Sequence, residues 1–158
     1  TTNMEKRKEL VVSAIENGTV IDHIPADKVF QVIKILGLET IDKPIYFGTN
    51  LESKKYGTKG IIKISDKFFK KEEINKIALV APTASLIEIK DFEVLSKQTV
   101  EIPERIASIV KCYNPNCVTN KEHDVPTKFT VIKDEDGHVK LHCHYCEKNT
   151  TDDKFEFL

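Results

Sequence analysis

All four cysteines of the chain lie in its last third and fall into two pairs, Cys112-x4-Cys117 and Cys143-x2-Cys146, with twenty-five residues between the pairs. A spacing of two to four residues lets two sulfurs on one tight turn reach the same ion. Two such knuckles complete a tetrahedron, the geometry that Zn²⁺ takes in closed structural sites. With four thiolates in place no position is left for water, so the ion expected here holds a fold and does not activate a nucleophile. Asn114, Pro115 and Asn116 fill the first knuckle and His144 and Tyr145 the second, and turn-forming residues suit a chain that must aim successive sulfurs inward. Two disulfides or four unrelated buried thiols are the competing readings, and four cysteines allow three disulfide pairings. A Cys-x2-Cys pair, however, closes too small a loop for a routine bridge. A thiolate tetrahedron also holds iron. His142 and His144 flank Cys143 and read as surface imidazoles, as do His123 and His138.

No cysteine precedes residue 112, so the ion can stabilise only the end of the 158-residue chain, and the first hundred residues must fold on an apolar core of their own. A segment of about fifty residues is marginal without a staple, and a metal is a usual remedy. Two domains are therefore expected, residues 1–102 and 103–158. Hydrophobic residues make up 40% and charged ones 31%, and no apolar run approaches the roughly 18 residues of a membrane span. With no signal peptide evident and free thiols reserved for metal, a reducing compartment, the cytoplasm, is expected. The net charge of −1 divides evenly, with eight Lys and Arg against ten Asp and Glu in residues 104–158. That balance counts against the alternative of a zinc-ribbon nucleic-acid adapter, which needs a clear positive excess. An iron-bearing electron carrier is a third reading.

Along the chain, short β-branched runs over residues 9–15 and 20–24 flank the turn Asn17-Gly18 and read as strands. Val29, Val32, Ile33 and Leu36 recur at helical spacing up to Gly37, predicting a helix over 26–36. Strands follow over 44–51 and 60–65, a second helix over 66–80 ahead of Pro82, and a strand pair over 84–89 and 92–97. Short connections favour an antiparallel sheet with both helices on one face, a ferredoxin-like α+β layer. Residues 98–103 read as a linker. Strands over 108–111, 128–133, 139–142 and 152–158, with a turn at 134–137, predict a small all-β unit around the cysteines.

No phosphate-binding P-loop, GxGxxG, GxSxG or HExxH signature is present, so the first domain reads as a binder. Asp22 and His23 end a predicted strand, and a carboxylate beside an imidazole suits a ligand with hydroxyl and phosphate groups; the plainer reading is a solvated polar pair. Lys54, Lys55, Lys59 and Lys63 place four cations in ten residues. Such runs are usually solvated faces or edge-strand charges, yet Lys59 and Lys63 enter an apolar strand where they could anchor a triphosphate, with Lys97 converging from another strand.

The stretch from Gly18 to Pro25, GTVIDHIP, then Gly48 to Leu51 with Lys59 and Lys63, then Pro103 to Ile106, and the two knuckles ending at Lys148 together resemble the regulatory chain of aspartate carbamoyltransferase over nearly the whole sequence. The resemblance implies a non-catalytic subunit of pyrimidine biosynthesis with an N-terminal nucleotide-binding allosteric domain and a C-terminal zinc domain that docks on the catalytic chain. It also implies self-pairing into regulatory dimers that bridge catalytic trimers, and CTP and ATP competing for one site, with UTP reinforcing CTP. Residues implied at the nucleotide site are Val12, Ala14, Ile15, Val20, Asp22, His23, Lys59, Ile61, Lys63, Ile89, Phe92, Val94 and Lys97. The metal ligands implied are Cys112, Cys117, Cys143 and Cys146. Asn114, Asn116 and Glu147 match the contacts to the catalytic chain. Glu16, Ile87 and Phe92 depart from the pattern, where a lysine, an asparagine and a tyrosine can stand, so a cation, an amide and a hydroxyl are lost around base and ribose.

Overall fold

The computed structural model describes residues 14–54 and 57–158. The chain divides into two compact units between Val100 and Glu101. In the first, β1 (Gly18–Ile24) leads through a 3-10 turn (Ala26–Lys28) into α1 (Val29–Ile35), then β2 (Ile45–Ser53), β3 (Gly57–Ser65), α2 (Lys71–Val80), β4 (Ser85–Lys90) and β5 (Glu93–Thr99). The sheet order is β2-β3-β1-β4-β5, and every neighbouring pair is antiparallel. The segment from β1 to β4 is therefore the split βαβ arrangement of ferredoxin-like domains, with both helices on one face and β5 added at the edge.

Alternation along the central strands makes the sheet two-faced. On β3 the even residues Gly60, Ile62 and Ile64 are buried, while Lys59, Ile61 and Lys63 are partly open. Register carries that division sideways: Ile62 pairs with Ile21, which pairs with Leu86, and all three are 0% exposed. Those residues meet the helices. Gly60 permits the closest helix approach, because a Cβ built there would lie 1.9 Å from Cγ2 of Val29, a fully buried residue of α1.

The elements begin and end where local hydrogen bonding changes. Helix α1 starts three residues later than the predicted helix, because Ala26–Lys28 form a tighter 3-10 turn, and it closes at Gly37 in the left-handed region. The predicted helix over 66–80 begins only at Lys71. Asp66 has φ 55°, and Lys70 N–H donates to the Glu73 carboxylate at 3.2 Å, marking the true start. Gln98 and Thr99, expected in the linker, belong to β5; Val100 behind them is buried and donates to Ala84 O at 3.0 Å. Of the strand expected over 9–15, residues 9–13 lie outside the described residues, and Ala14 and Ile15 are not in a strand.

The second unit is a meander of β6 (Arg105–Ala107), β7 (Lys128–Lys133), β8 (Val139–Cys143) and β9 (Asn149–Thr151), antiparallel in chain order. Ile106, Val110, Phe129, Val139 and Leu141 form its small core, with Cys112, Cys117 and Cys143 buried beside them. The predicted turn is present: the Asp134 carboxylate accepts from Asp136 N–H and His138 N–H, and Gly137 takes φ 81°. Two strands are misplaced. The strand expected over 108–111 lies instead at 105–107, since Ser108 at φ 60° turns the chain out of the ladder, leaving Val110 only a bridge to Phe157. The last expected strand is replaced by the 3-10 turn Asp152–Lys154, where the Thr151 hydroxyl donates to the Asp153 carboxylate. The unit is the small antiparallel β unit expected, with one short helix, α3 (Val118–Lys121), after the first knuckle. Among the described residues no helix is long and apolar enough to cross a membrane.

Replacing Gly60 by alanine should push α1 away from β3. Overpacking of this kind costs about 1–3 kcal/mol. Urea unfolding followed by far-ultraviolet circular dichroism is expected to show that loss in the first unit.

Candidate metal centre and ligand face

Cys112 leaves the buried Val110 segment, Cys117 caps α3, Cys143 ends β8, and Cys146 lies in the turn before β9. Four separate local structures thus deliver four sulfurs to one point, all within 4.8 Å of one another and none in a disulfide. Cys112 Sγ lies 3.7 Å from Cys146 Sγ, and Cys117 Sγ lies 3.7 Å from Cys143 Sγ. A tetrahedron with metal–sulfur bonds of about 2.3 Å has edges of about 3.8 Å. The donor set therefore fits a thiolate-bound ion, and disulfide pairing is not what the structure shows. His142 and His144 stand outside the cluster: His142 Nδ1 faces Asn149 Oδ1 at 2.8 Å, and His144 is exposed with its ring edge-on to Tyr145.

Without an ion the thiols compete. Burial pushes the Cys112 and Cys143 thiols up, and the neighbouring sulfurs raise Cys112 further. Cys146 is also opposed by burial, but the Lys148 amide, the Asn114 side chain and the neighbouring thiols donate to it and bring it down to about 7. A divalent cation removes this repulsion and takes the protons' place.

Asn114 lies inside the first knuckle, 8% exposed, with its carboxamide oxygen accepting from Asn116 N–H at 3.1 Å. Asn116 and Glu147 are exposed, and Glu147 sits at φ 61° directly after the last ligand. Sequence reasoning missed Asn120. Its side-chain N–H groups donate to Cys112 O at 2.8 Å and Asn114 O at 2.7 Å, tying α3 to the knuckle.

In the first unit, register gathers the expected ligand residues on the sheet face opposite the helices. Val20 pairs with Lys63 and Ile87, Ile87 with Lys97, and Ile89 with Val94, so these share a face with Asp22, Lys59 and Ile61. A bulge sharpens the arrangement. His23 at φ 56° is the extra residue that lets both Ile21 and Ile24 enter the core while Asp22 stays on the open side. Asp22 Oδ1 lies 2.9 Å from Lys59 Nζ and accepts from His23 N–H at 2.7 Å. Burial works against the Asp22 carboxylate, yet these donors hold it below its ordinary range. Burial depresses Lys63, and Asp22 opposes that shift.

The His23 ring lies at the edge of that cluster, with Nδ1 4.0 Å from Asp22 Oδ2. Its Nδ1 is 3.3 Å from Ser85 Oγ, and the residue also lines a cleft of about 620 Å³ with Pro25, Phe30, Thr49 and Thr83. Phe92, 64% exposed at φ 66°, occupies the β4–β5 turn, held by its N–H on Glu16 O at 2.9 Å. Ala14 is exposed and Ile15 is buried, both just before β1. Val12, and Lys55 of the lysine run, lie outside the described residues.

Because the folded Asp22 carboxyl titrates below the unfolded one, its stabilisation is present above the unfolded value, about 3.9, and is lost as pH falls through the folded value. Asp22→Asn should therefore be less stable than the parent near about pH 6, with the gap closing toward about pH 3. Urea midpoints of the two proteins across that range check this.

Residues 10–101 match the family model described as the allosteric domain of the aspartate carbamoyltransferase regulatory chain, and residues 104–156 match the model of its metal binding domain. Curated relatives carry the same name. A protein of Bacteroides fragilis is 54% identical over 144 residues, 91% of this chain and 92% of its own. One of Parabacteroides distasonis is 51% identical over 144 residues with the same coverage, 91% and 92%. One of Pyrococcus horikoshii is 50% identical over 148 residues, 92% of this chain and 95% of its own.

Proposed function

From its membership of the family of aspartate carbamoyltransferase regulatory chains, to which both its units belong, we propose that this chain binds CTP and ATP, and UTP beside CTP, on the open face of its first sheet and passes the signal to catalytic chains through a zinc-held second unit. It is a regulatory chain and not a catalytic one. The observation that carries the nucleotide reading is the convergence of Lys59, Lys63 and Lys97 with one carboxylate, Asp22, around the apolar residues Val20, Ile61, Ile89 and Val94. Three ammonium groups suit a triphosphate, a carboxylate suits ribose hydroxyls, and apolar side chains suit the flat of a base. His23 reaches the phosphates from the rim, and Phe92 closes the opposite end. Loss of the amide and hydroxyl at Ile87 and Phe92 leaves base selection to backbone groups near Ile15 and Ile89.

In the second unit the proposed ion is zinc, which four thiolates suit and which when bound supplies structure and no chemistry. Cys112, Cys117, Cys143 and Cys146 hold it, and the knuckles then present Asn116 and Glu147 to the catalytic chain, with Asn114 bracing them from within. Regulatory dimers bridging catalytic trimers in the cytoplasm complete the reading. A nucleotide acts in such an assembly only through different affinities for its two states.

Reciprocal coupling is the test. On the full assembly, an aspartate analogue should change the dissociation constants of CTP and ATP in opposite directions, within the roughly 5- to 150-fold usual for allosteric pairs; calorimetric affinities that ignore the analogue would overturn the proposal. For Cys143→Ser, stoichiometric zinc and co-migration with catalytic trimers on size exclusion should both be lost while nucleotide binding persists. A variant that still co-migrates refutes the docking role of the metal unit.

A further inference from the structure

The four sulfurs are not served alike. Cys112 receives the N–H of Asn114, Cys143 those of Tyr145 and Cys146, and Cys146 that of Lys148 together with the Asn114 side chain. Cys117 takes a side-chain donor: the Thr119 hydroxyl donates to its Sγ at 3.2 Å. Thr119 lies two residues on, in α3, the single turn of helix that Cys117 itself caps. Its neighbour Asn120 donates its backbone N–H to Cys117 O at 2.9 Å and its two side-chain N–H groups to Cys112 O and Asn114 O. One short helix therefore grips both ends of the first knuckle, by backbone at Cys112 and by sulfur at Cys117.

A five-bond knuckle needs this more than a tight one. In the x4 loop the Asn114 amide serves Cys112, Pro115 has no N–H to offer, and Cys117 draws on a hydroxyl from the helix beyond the loop. Four thiolates around a divalent cation leave a net charge of about −2 on the cluster. Each hydrogen bond to sulfur spreads part of that charge, and partners of ligands beyond the metal fix ligand orientation and tune the ion.

We propose that α3 is a latch for the metal centre, in which Asn120 sets the backbone of the first knuckle and Thr119 is a positioning residue whose hydroxyl holds the Cys117 thiolate and withdraws charge from it. This rests on the reading of the four cysteines as a metal site. Thr119 touches sulfur and not the ion, so its signature is in the electronic structure of the bound metal. Asn120 touches only backbone, so its signature is in affinity.

The experiment uses the full-length chain loaded with Co²⁺ in place of the native ion, comparing Thr119→Ser, Thr119→Ala, Thr119→Val and Asn120→Ala with the parent. A thiolate deprived of its donor is more electron-rich, so the sulfur-to-cobalt charge-transfer band should move to lower energy in the alanine and valine variants and stay at the parental position in serine. Competition with a chromophoric chelator should show Asn120→Ala weakened by about 10- to 100-fold, with its band unmoved. A serine variant shifted as far as alanine, or alanine and valine bands that coincide with the parent, would overturn the role of Thr119; where valine fails to load, the serine and alanine pair decides. Undiminished affinity in Asn120→Ala would overturn the latch. If the parent chain takes up no cobalt, the metal-site reading itself fails, a result distinct from either of these.

Discussion

Four sulfurs within 4.8 Å of one another leave little freedom to the chain that gathers them. To bring Cys112, Cys117, Cys143 and Cys146 that close, the unit from Glu101 to Leu158 must return β8 beside β7, fold β9 back on β8, and hold a long loop against their end. Its apolar core is too small to dictate this alone: Ile106, Val110, Phe129, Val139 and Leu141 are its principal buried aliphatic and aromatic residues. Metal binding energy is then folding energy. The exposed polar residues of the knuckles can consequently be chosen for contact with something else, because turn geometry is enforced from the centre.

The first unit solves the same problem without an ion. Its helices cover one side of a five-stranded sheet, and the buried aliphatic set, Ile21, Ile24, Ile62, Ile64, Leu86 with Val29, Val32 and Ile77, is large enough for a core. Because side chains alternate, covering one face leaves the other open. The bulge at His23 is the device that separates the two: without the extra residue, moving Ile24 inward would have carried Asp22 with it.

Much of this was legible in the residues, for reasons that differ by element. The cysteine spacing was readable because ion chemistry fixes it whatever the surroundings, and the Asp134 turn because Asp and Gly satisfy its backbone locally. Element starts were less readable. Phe69 lies within the helix expected over 66–80 but is buried from a loop, and the apolar Val110 suggested a strand that the left-handed Ser108 interrupts. The spacing of Ile21 and Ile24 was a usable hint of the bulge. Asn120 carried no hint at all, since its role depends on two carbonyls that only the folded loop brings within reach. The residues of the open face were visible as separate residue types, but their convergence is a property of strand order, which composition does not encode.

Charge explains how such a face can stand open. Lys59 and Lys63 share one side of β3 with Ile61 between them, and burial already disfavours the Lys63 ammonium, so cations alone are poorly supported there. Asp22 projects between them from β1, bonds to Lys59 and supports the charge on Lys63. On the proposed reading, a triphosphate would bring the negative charge that the lysines lack and leave Asp22 free for a neutral hydroxyl partner. On that reading the carboxylate would serve the empty state as a counter-ion and the bound state as an acceptor, with the His23 N–H that it accepts at 2.7 Å fixing its position.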